Sequence, residues 1–205
     1  MQNIKNIILD RDGTVIIDKH YLHKPEGVEL LDGAAEGLQE LAKAGMNLFI
    51  ATNQSGIGRG YFSAEDYSAV QKRLLEILER KGIQITGTAF CPHAPEENCS
   101  CRKPLTGMWE DLSSRFGLRP EETVMIGDKS ADISFGHNAG LAASILVLTG
   151  KGTDQLADYE LSTPFTAWSV PENASPAAPF AIAHDLEAAA DCILHYNTID
   201  RDTNS

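Results

Sequence analysis

Five apolar runs of five or six residues punctuate the first 150 positions: NIILD (6–10), NLFIAT (47–52), TGTAFC (86–91), TVMIGD (123–128) and ASILVL (143–148). Their length and apolar continuity are those of strands buried on both faces. Between them the period lengthens. Ala34, Leu38 and Leu41 recur at helical spacing ahead of Gly45, and Val70, Leu74, Ile77 and Leu78 recur at i, i+4, i+7 and i+8 as one apolar face. Ser63 with Asp66 can form a capping box at the start of that second helix, and Lys81-Gly82 supply its stop. Strand, helix, strand, helix predicts an α/β fold with a doubly wound parallel sheet and right-handed crossovers.

Beyond about position 153 the pattern weakens. SVPENASPAAPFA (169–181) is a Pro/Ala/Ser-rich connection, DLEAAADCIL (185–194) has the character of a terminal helix, and 196–205 is expected to fray. Cys192 falls in that helix and is expected to be a buried, inert thiol. One domain over 1–195 is the expected organisation.

The chain has 205 residues, 42% of them apolar, and no apolar run long enough to span a bilayer. It begins without the pattern of a signal peptide, so a cytoplasmic protein is expected. The formal charge of −12 argues against nucleic-acid and anionic-membrane surfaces, but not against a small anionic substrate met by locally concentrated cations. A monomer is expected.

In an open parallel sheet, ligands bind beyond the carboxyl ends of the strands. The first run ends with Asp10, Asp12, Gly13 and Thr14; the second with Thr52, Asn53, Gln54 and Ser55; the fourth with Asp128, Lys129 and Asp132. The segment after the third run adds Arg102 and Lys103. Crowded carboxylates need a cation, and hard oxygen ligands suit Mg²⁺, here Asp10, Asp128 and the Asp12 carbonyl. Asp10 is then a nucleophile, with Lys103 and Mg²⁺ relieving its repulsion from a phosphate. Asp12 can protonate the leaving oxygen and later deprotonate water. Phosphoryl transfer through an aspartyl-phosphate is the chemistry implied. A GIGRG stretch (56–60) lacks the register of a dinucleotide fingerprint and reads as a loop before a helix.

CPHAPEENCSCRKP (91–104) places Cys91, His93, Cys99 and Cys101 directly before Arg102 and Lys103. Catalytic zinc, a redox switch and structural zinc are the readings. The four residues complete a tetrahedral Cys₃His shell with no position open to water, which favours structural Zn²⁺ that fixes the two cations toward the phosphate.

DRDGT, ATNQS, RKP and GDKSAD, in this order and over residues 4–152, resemble the four motifs of the haloacid dehalogenase-type phosphatases. The cysteine loop is similar to that of the subgroup containing heptose-bisphosphate and histidinol-phosphate phosphatases. The resemblance implies Asp10 as nucleophile, Asp12 as general acid/base, Thr52 and Lys103 as the phosphoryl-holding pair, and Asp128 as the second magnesium ligand. Asp132 is expected beside the metal or in support of it. Substrate contacts implied are Asp18, Lys19, His20, Tyr21, Thr52, Asn53, Gln54, Ser55, Arg102, Lys103 and Lys129. Arg102 would take a second phosphate in its fork. TNQSGIGRGYFS and DKHYLHKPEGVELLDG resemble the heptose enzymes, implying removal of the C7 phosphate from D-glycero-D-manno-heptose 1,7-bisphosphate in heptose biosynthesis, with lipopolysaccharide and a nucleotide-sugar route both open as destinations of the product. The five residues between His93 and Cys99 resemble the histidinol-phosphate loop instead, so histidinol phosphate is the alternative substrate. A non-enzymatic zinc module binding a phosphorylated partner is the remaining reading. No long insertion follows the first motif, so no large cap domain is expected.

Overall fold

The computed structural model describes residues 3–164, 166–172 and 175–202. Among the described residues seven strands form one sheet: β1 (Asn6–Leu9), β2 (Asn47–Asn53), β3 (Gly87–Cys91), β4 (Thr123–Gly127), β5 (Ala143–Val147), β6 (Trp168–Ser169) and β7 (Ala181–Ala183). Their spatial order is β3-β2-β1-β4-β5-β7-β6. The helices are α1 (Ala34–Lys43), α2 (Ser55–Gly58), α3 (Ala64–Arg80), α4 (Gly107–Phe116), α5 (Ser130–Asn138), α6 (Gly152–Gln155) and α7 (Leu186–Asp202). The sheet is mixed, which corrects the expectation of a wholly parallel one. Six strands run parallel, while the two-residue β6 pairs antiparallel with β7 at the edge. Two short strands therefore flank the expected Pro/Ala/Ser-rich connection. The terminal helix also extends into the segment expected to fray; residues 203–205 lie outside the described residues.

Burial on both faces explains the continuous apolar runs. Ile7 and Leu9 face a cluster with Leu38, Leu41, Leu74 and Ile193, whereas Ile8 faces Phe49, Met125, Leu112 and Phe135 on the other side. The α3 capping box forms as the sequence predicts: Ser63 Oγ accepts the Asp66 N–H at 3.1 Å, and Asp66 Oδ2 accepts the Ser63 N–H at 2.8 Å. Gly37 lets α1 approach α7 closely, since a Cβ there would lie 2.4 Å from the Leu186 carbonyl oxygen. Among the described residues, no helix is long and apolar enough to cross a membrane. The chain leaves β1 toward β2 and β3 on one side and reaches β4 and β5 on the other. The crevice for a ligand is thus expected between the carboxyl ends of β1 and β4.

Candidate active site

Asp10 follows β1 directly, and its backbone N–H donates to the Ile126 carbonyl at 2.9 Å, tying the strand end to β4. Its buried Oδ1 accepts Lys103 Nζ at 2.8 Å. The same ammonium donates to the Ala51 carbonyl at 2.6 Å and meets Asp132 Oδ1 at 2.6 Å. All three of its N–H groups thus have acceptors. Burial works to raise the Asp10 pKa, but the ammonium groups of Lys103 and Lys129 overcome it and hold the carboxyl below its ordinary value. Burial likewise works to lower that of Lys103, and Asp10 and Asp132 outweigh it. Each ion keeps the other charged. Asp128 moves the opposite way: burial, then repulsion from Asp10, push its carboxyl up to about 7.

Asp10, Asp128 and Asp132 each bring a carboxylate oxygen within 4.8 Å of the others. Asp132 has both oxygens engaged, Oδ1 by Lys103 and Oδ2 by the Lys129 backbone N–H at 3.1 Å, so it braces the lysine and the start of α5. Lys129 Nζ stands among the oxygens expected for magnesium. It lies 3.2 Å from the Asp12 carbonyl oxygen, 3.3 Å from Asp128 Oδ1 and 3.7 Å from Asp10 Oδ2. One carbonyl and two carboxylates around a cation are the hard donor set that Mg²⁺ takes, so the residues fit that ion. Two glycines make room for this arrangement. A Cβ on Gly13 (φ +93°) would lie 2.2 Å from Asp128 Oδ2, and one on Gly150 (φ +55°) 2.3 Å from it.

Thr52 is the last residue but one of β2 and is buried; its Oγ1 accepts Gln54 Nε2 at 2.8 Å. Asn53 clamps the cationic loop by accepting the Lys103 N–H at 3.0 Å and donating Nδ2 to the Lys103 carbonyl at 3.1 Å. A polar cleft of about 190 Å³ opens beside these groups. Asp18, His20 and Tyr21 line it from one segment, Asn53, Gln54 and Ser55 from another, together with Asp12 and Lys129. His20 (φ +47°) and Tyr21 (φ +56°) are successive left-handed residues, and the His20 N–H donates to Asp18 Oδ1 at 3.0 Å. Lys19 is apart from the cleft: its ammonium pairs with Glu29 at 2.9 Å. Arg102 Nη1 donates to the His93 carbonyl at 3.5 Å.

Arg11 is the residue the sequence pattern passes over. It is 1% exposed, lies with Cζ 5.3 Å from the Tyr67 ring centroid, and forks onto Asp12 through Nε at 3.0 Å and Nη2 at 3.1 Å. An arginine between two acids at the end of a fully buried strand was a signal that it must be paired.

Cys91, His93, Cys99 and Cys101 converge as a second cluster. Cys91 Sγ lies 3.6 Å from His93 Nδ1 and 3.5 Å from Cys99 Sγ, while Cys101 Sγ lies 3.3 Å from His93 Nδ1 and 3.6 Å from Cys99 Sγ. All four cysteines are free thiols. A tetrahedron with metal–sulfur bonds of about 2.3 Å has edges of about 3.8 Å, so the spacing and the soft donors fit one zinc-sized ion. Burial works to raise the Cys99 pKa, yet backbone N–H groups, foremost that of Arg102, bring it down to about 7.

Comparison with known proteins finds relatives over most of the chain. The haloacid dehalogenase-like hydrolase family matches residues 17–140, and a second, HAD-hydrolase-like family matches 100–189. D-glycero-beta-D-manno-heptose-1,7-bisphosphate 7-phosphatase of Haemophilus influenzae is 37% identical over 169 residues, 78% of this chain and 92% of the relative. The D-glycero-alpha-D-manno-heptose-1,7-bisphosphate 7-phosphatase of Photorhabdus laumondii is 35% identical over 74% of this chain and 87% of its own. Among solved structures, D,D-heptose 1,7-bisphosphate phosphatase from B. bronchiseptica, complexed with magnesium and phosphate, superposes with a TM-score of 0.80. It is 30% identical, covering 94% of this chain and 99% of that one.

Proposed function

The chain belongs to the haloacid dehalogenase-like hydrolases, as a phosphoric monoester hydrolase without a large cap, and from that premise we propose its substrate and mechanism. The substrate is D-glycero-D-manno-heptose 1,7-bisphosphate, hydrolysed at its C7 phosphate. The observation that carries the mechanism is Asp10, held ionised between two lysines, with a second acid, Asp12, lining the adjoining cleft.

Asp10 attacks phosphorus, and the bond from phosphorus to the C7 oxygen breaks with its electron pair remaining on that oxygen. Asp12 gives the oxygen a proton. Asp12 then takes a proton from water as the water oxygen attacks the aspartyl-phosphate, which releases inorganic phosphate and frees Asp10. Thr52 and Lys103, the latter by exchanging one of its three present acceptors for the phosphate, hold the phosphoryl oxygens, and their burial keeps those contacts strong. Asp10, Asp128 and the Asp12 carbonyl would hold Mg²⁺, which supplies charge neutralisation at the transferring group. Asp18, His20, Tyr21, Asn53, Gln54 and Ser55 line the cleft that orients the sugar. Lys129 joins them by leaving the oxygens that would hold Mg²⁺, and Arg102, whose Nη1 donates to the His93 carbonyl, takes the distal phosphate. Lys19 would have to leave Glu29 to contribute.

Structural zinc on Cys91, His93, Cys99 and Cys101 would fix the loop that delivers Arg102 and Lys103. The enzyme acts as a cytoplasmic monomer with no nucleic-acid partner, which light scattering and fractionation would check. Phosphate release from both heptose bisphosphate anomers and from histidinol phosphate, with and without Mg²⁺, tests the substrate. Equal or faster turnover of histidinol phosphate would overturn the heptose assignment. Full turnover by Asp10→Asn would overturn the mechanism.

A further inference from the structure

The two oxygens of Asp12 are not equivalent. Oδ2 accepts two N–H groups, Arg11 Nε at 3.0 Å and Gln54 Nε2 at 2.8 Å. Oδ1 has one, Arg11 Nη2 at 3.1 Å. A carboxylate oxygen offers two lone pairs. Oδ2 is therefore saturated, and Oδ1 keeps the one position at which a proton can come and go. The guanidinium that sets this asymmetry is buried, with the Tyr67 ring behind it. A charged side chain in such a place costs desolvation, which its fork onto Asp12 and its contact with the ring offset in part, Nη1 being buried without a hydrogen-bond partner among the described residues. Gln54 couples the arrangement to the phosphoryl site, because its Nε2 also donates to Thr52 Oγ1 at 2.8 Å.

We propose that Arg11 is the positioning residue of the general acid: with Gln54 it saturates Asp12 Oδ2, so that Oδ1 faces the reaction and exchanges the proton. The inference rests on the assignment of Asp12 as acid/base. Without the fork, the Asp12 side chain would rotate between staggered positions and present an oxygen to the leaving group for only part of the time. The loss should thus appear only where a proton must be delivered. Departure of a sugar alkoxide needs that proton. p-Nitrophenolate leaves as a stable anion and does not.

The test is kcat/KM on heptose 1,7-bisphosphate and on p-nitrophenyl phosphate, with Mg²⁺ saturating. This quantity covers steps through departure of the first leaving group, so hydrolysis of the aspartyl-phosphate does not enter. Arg11→Met should lower the sugar-to-nitrophenyl ratio by about 10-fold or more, and Asp12→Asn by about 100-fold, the scale of a general acid. Arg11→Lys keeps the charge but cannot span both oxygens, so it should also lower the ratio, and it remains informative if Arg11→Met does not fold. Equal losses on both substrates in the Arg11 variants would make the residue merely structural and overturn the proposal. An unchanged ratio in Asp12→Asn would instead remove the acid/base assignment on which the proposal stands.

Discussion

Lys103→Met should uncouple the buried ion cluster in a way that depends on pH. At an effective dielectric constant of about 20, each of the two contacts of the ammonium with Asp10 (2.8 Å) and Asp132 (2.6 Å) is an attraction of roughly 6 kcal/mol. Desolvation of three buried ions offsets most of it. Truncating one partner leaves Asp10 and Asp132 with the more distant Lys129 ammonium as their remaining cation, and the expected net loss is about 3–5 kcal/mol near neutrality. For a chain of this size that lowers Tm by roughly 6–20 °C. The pH dependence follows from the shifts. In the native protein the Asp10 pKa lies below its ordinary value, so its stabilising contribution is present above the unfolded pKa of about 3.9 and is lost as the pH falls through the folded one. In the variant, burial without the ammonium raises the same pKa, so stability falls as the pH rises. The gap between native and variant protein should be widest at pH 8 and shrink toward pH 5. Urea denaturation of metal-free samples across that range reads it directly. A gap below about 1 kcal/mol at pH 8, or one that stays constant with pH, would show that the ammonium is not what keeps these acids ionised.

Gly13→Ala places a Cβ against Asp128 Oδ2 in a backbone conformation that alanine resists. The Mg²⁺ concentration for half-maximal activity should rise about 10-fold or more; an unchanged magnesium titration would contradict the placement of Asp128 at the metal. Removing the zinc proposed for the cysteine loop should lower Tm and abolish most turnover, both restored by one equivalent of Zn²⁺, as metal analysis with calorimetry would record. Gly37→Ala should destabilise the protein by about 1–3 kcal/mol through the Leu186 carbonyl while leaving kcat/KM unchanged at 25 °C. Loss of activity in the folded variant would link the α1–α7 contact to the site.

The first five strands were legible because burial on both faces removes the polar alternation that turns and surface strands share. Asp10, Thr52 and Asp128 were legible for a related reason: a polar residue ending an apolar run has few places to be but the sheet edge. β7 was not legible, since Ala181–Ala183 lies in an Ala/Pro-rich stretch and becomes a strand only by pairing with β5 from Ile145 to Val147. The direction of a side chain was equally hidden. Lys129 reads as a substrate contact yet stands among three carboxylates, those of Asp10, Asp18 and Asp128, whereas Lys19 reads as a neighbour of the substrate yet turns to Glu29. Arg11 shares a motif with Asp10 and Asp12, and only the packing of Tyr67 reveals that it belongs behind them. Period and spacing determine which face a residue occupies; which partner it meets there depends on the rest of the fold.

The charges at the sheet edge account for how an acidic chain receives an anion. Asp10, Asp12, Asp128 and Asp132 carry four formal negative charges when ionised, and Arg11, Lys103 and Lys129 carry three positive ones. A phosphate dianion entering alone would raise the formal excess from one negative charge to three, in a region where most of these groups are buried and water screens little. A divalent cation entering with it returns the excess to one. Each should therefore strengthen binding of the other, and by reciprocity to the same degree. Inorganic phosphate titrated calorimetrically should bind at least about 10-fold more tightly at saturating Mg²⁺ than in chelator, and Mg²⁺ more tightly in saturating phosphate by the same factor. Phosphate affinity independent of the metal would mean that Lys103 and Lys129 alone neutralise the ligand, and that the ring of acids has some purpose other than holding a cation.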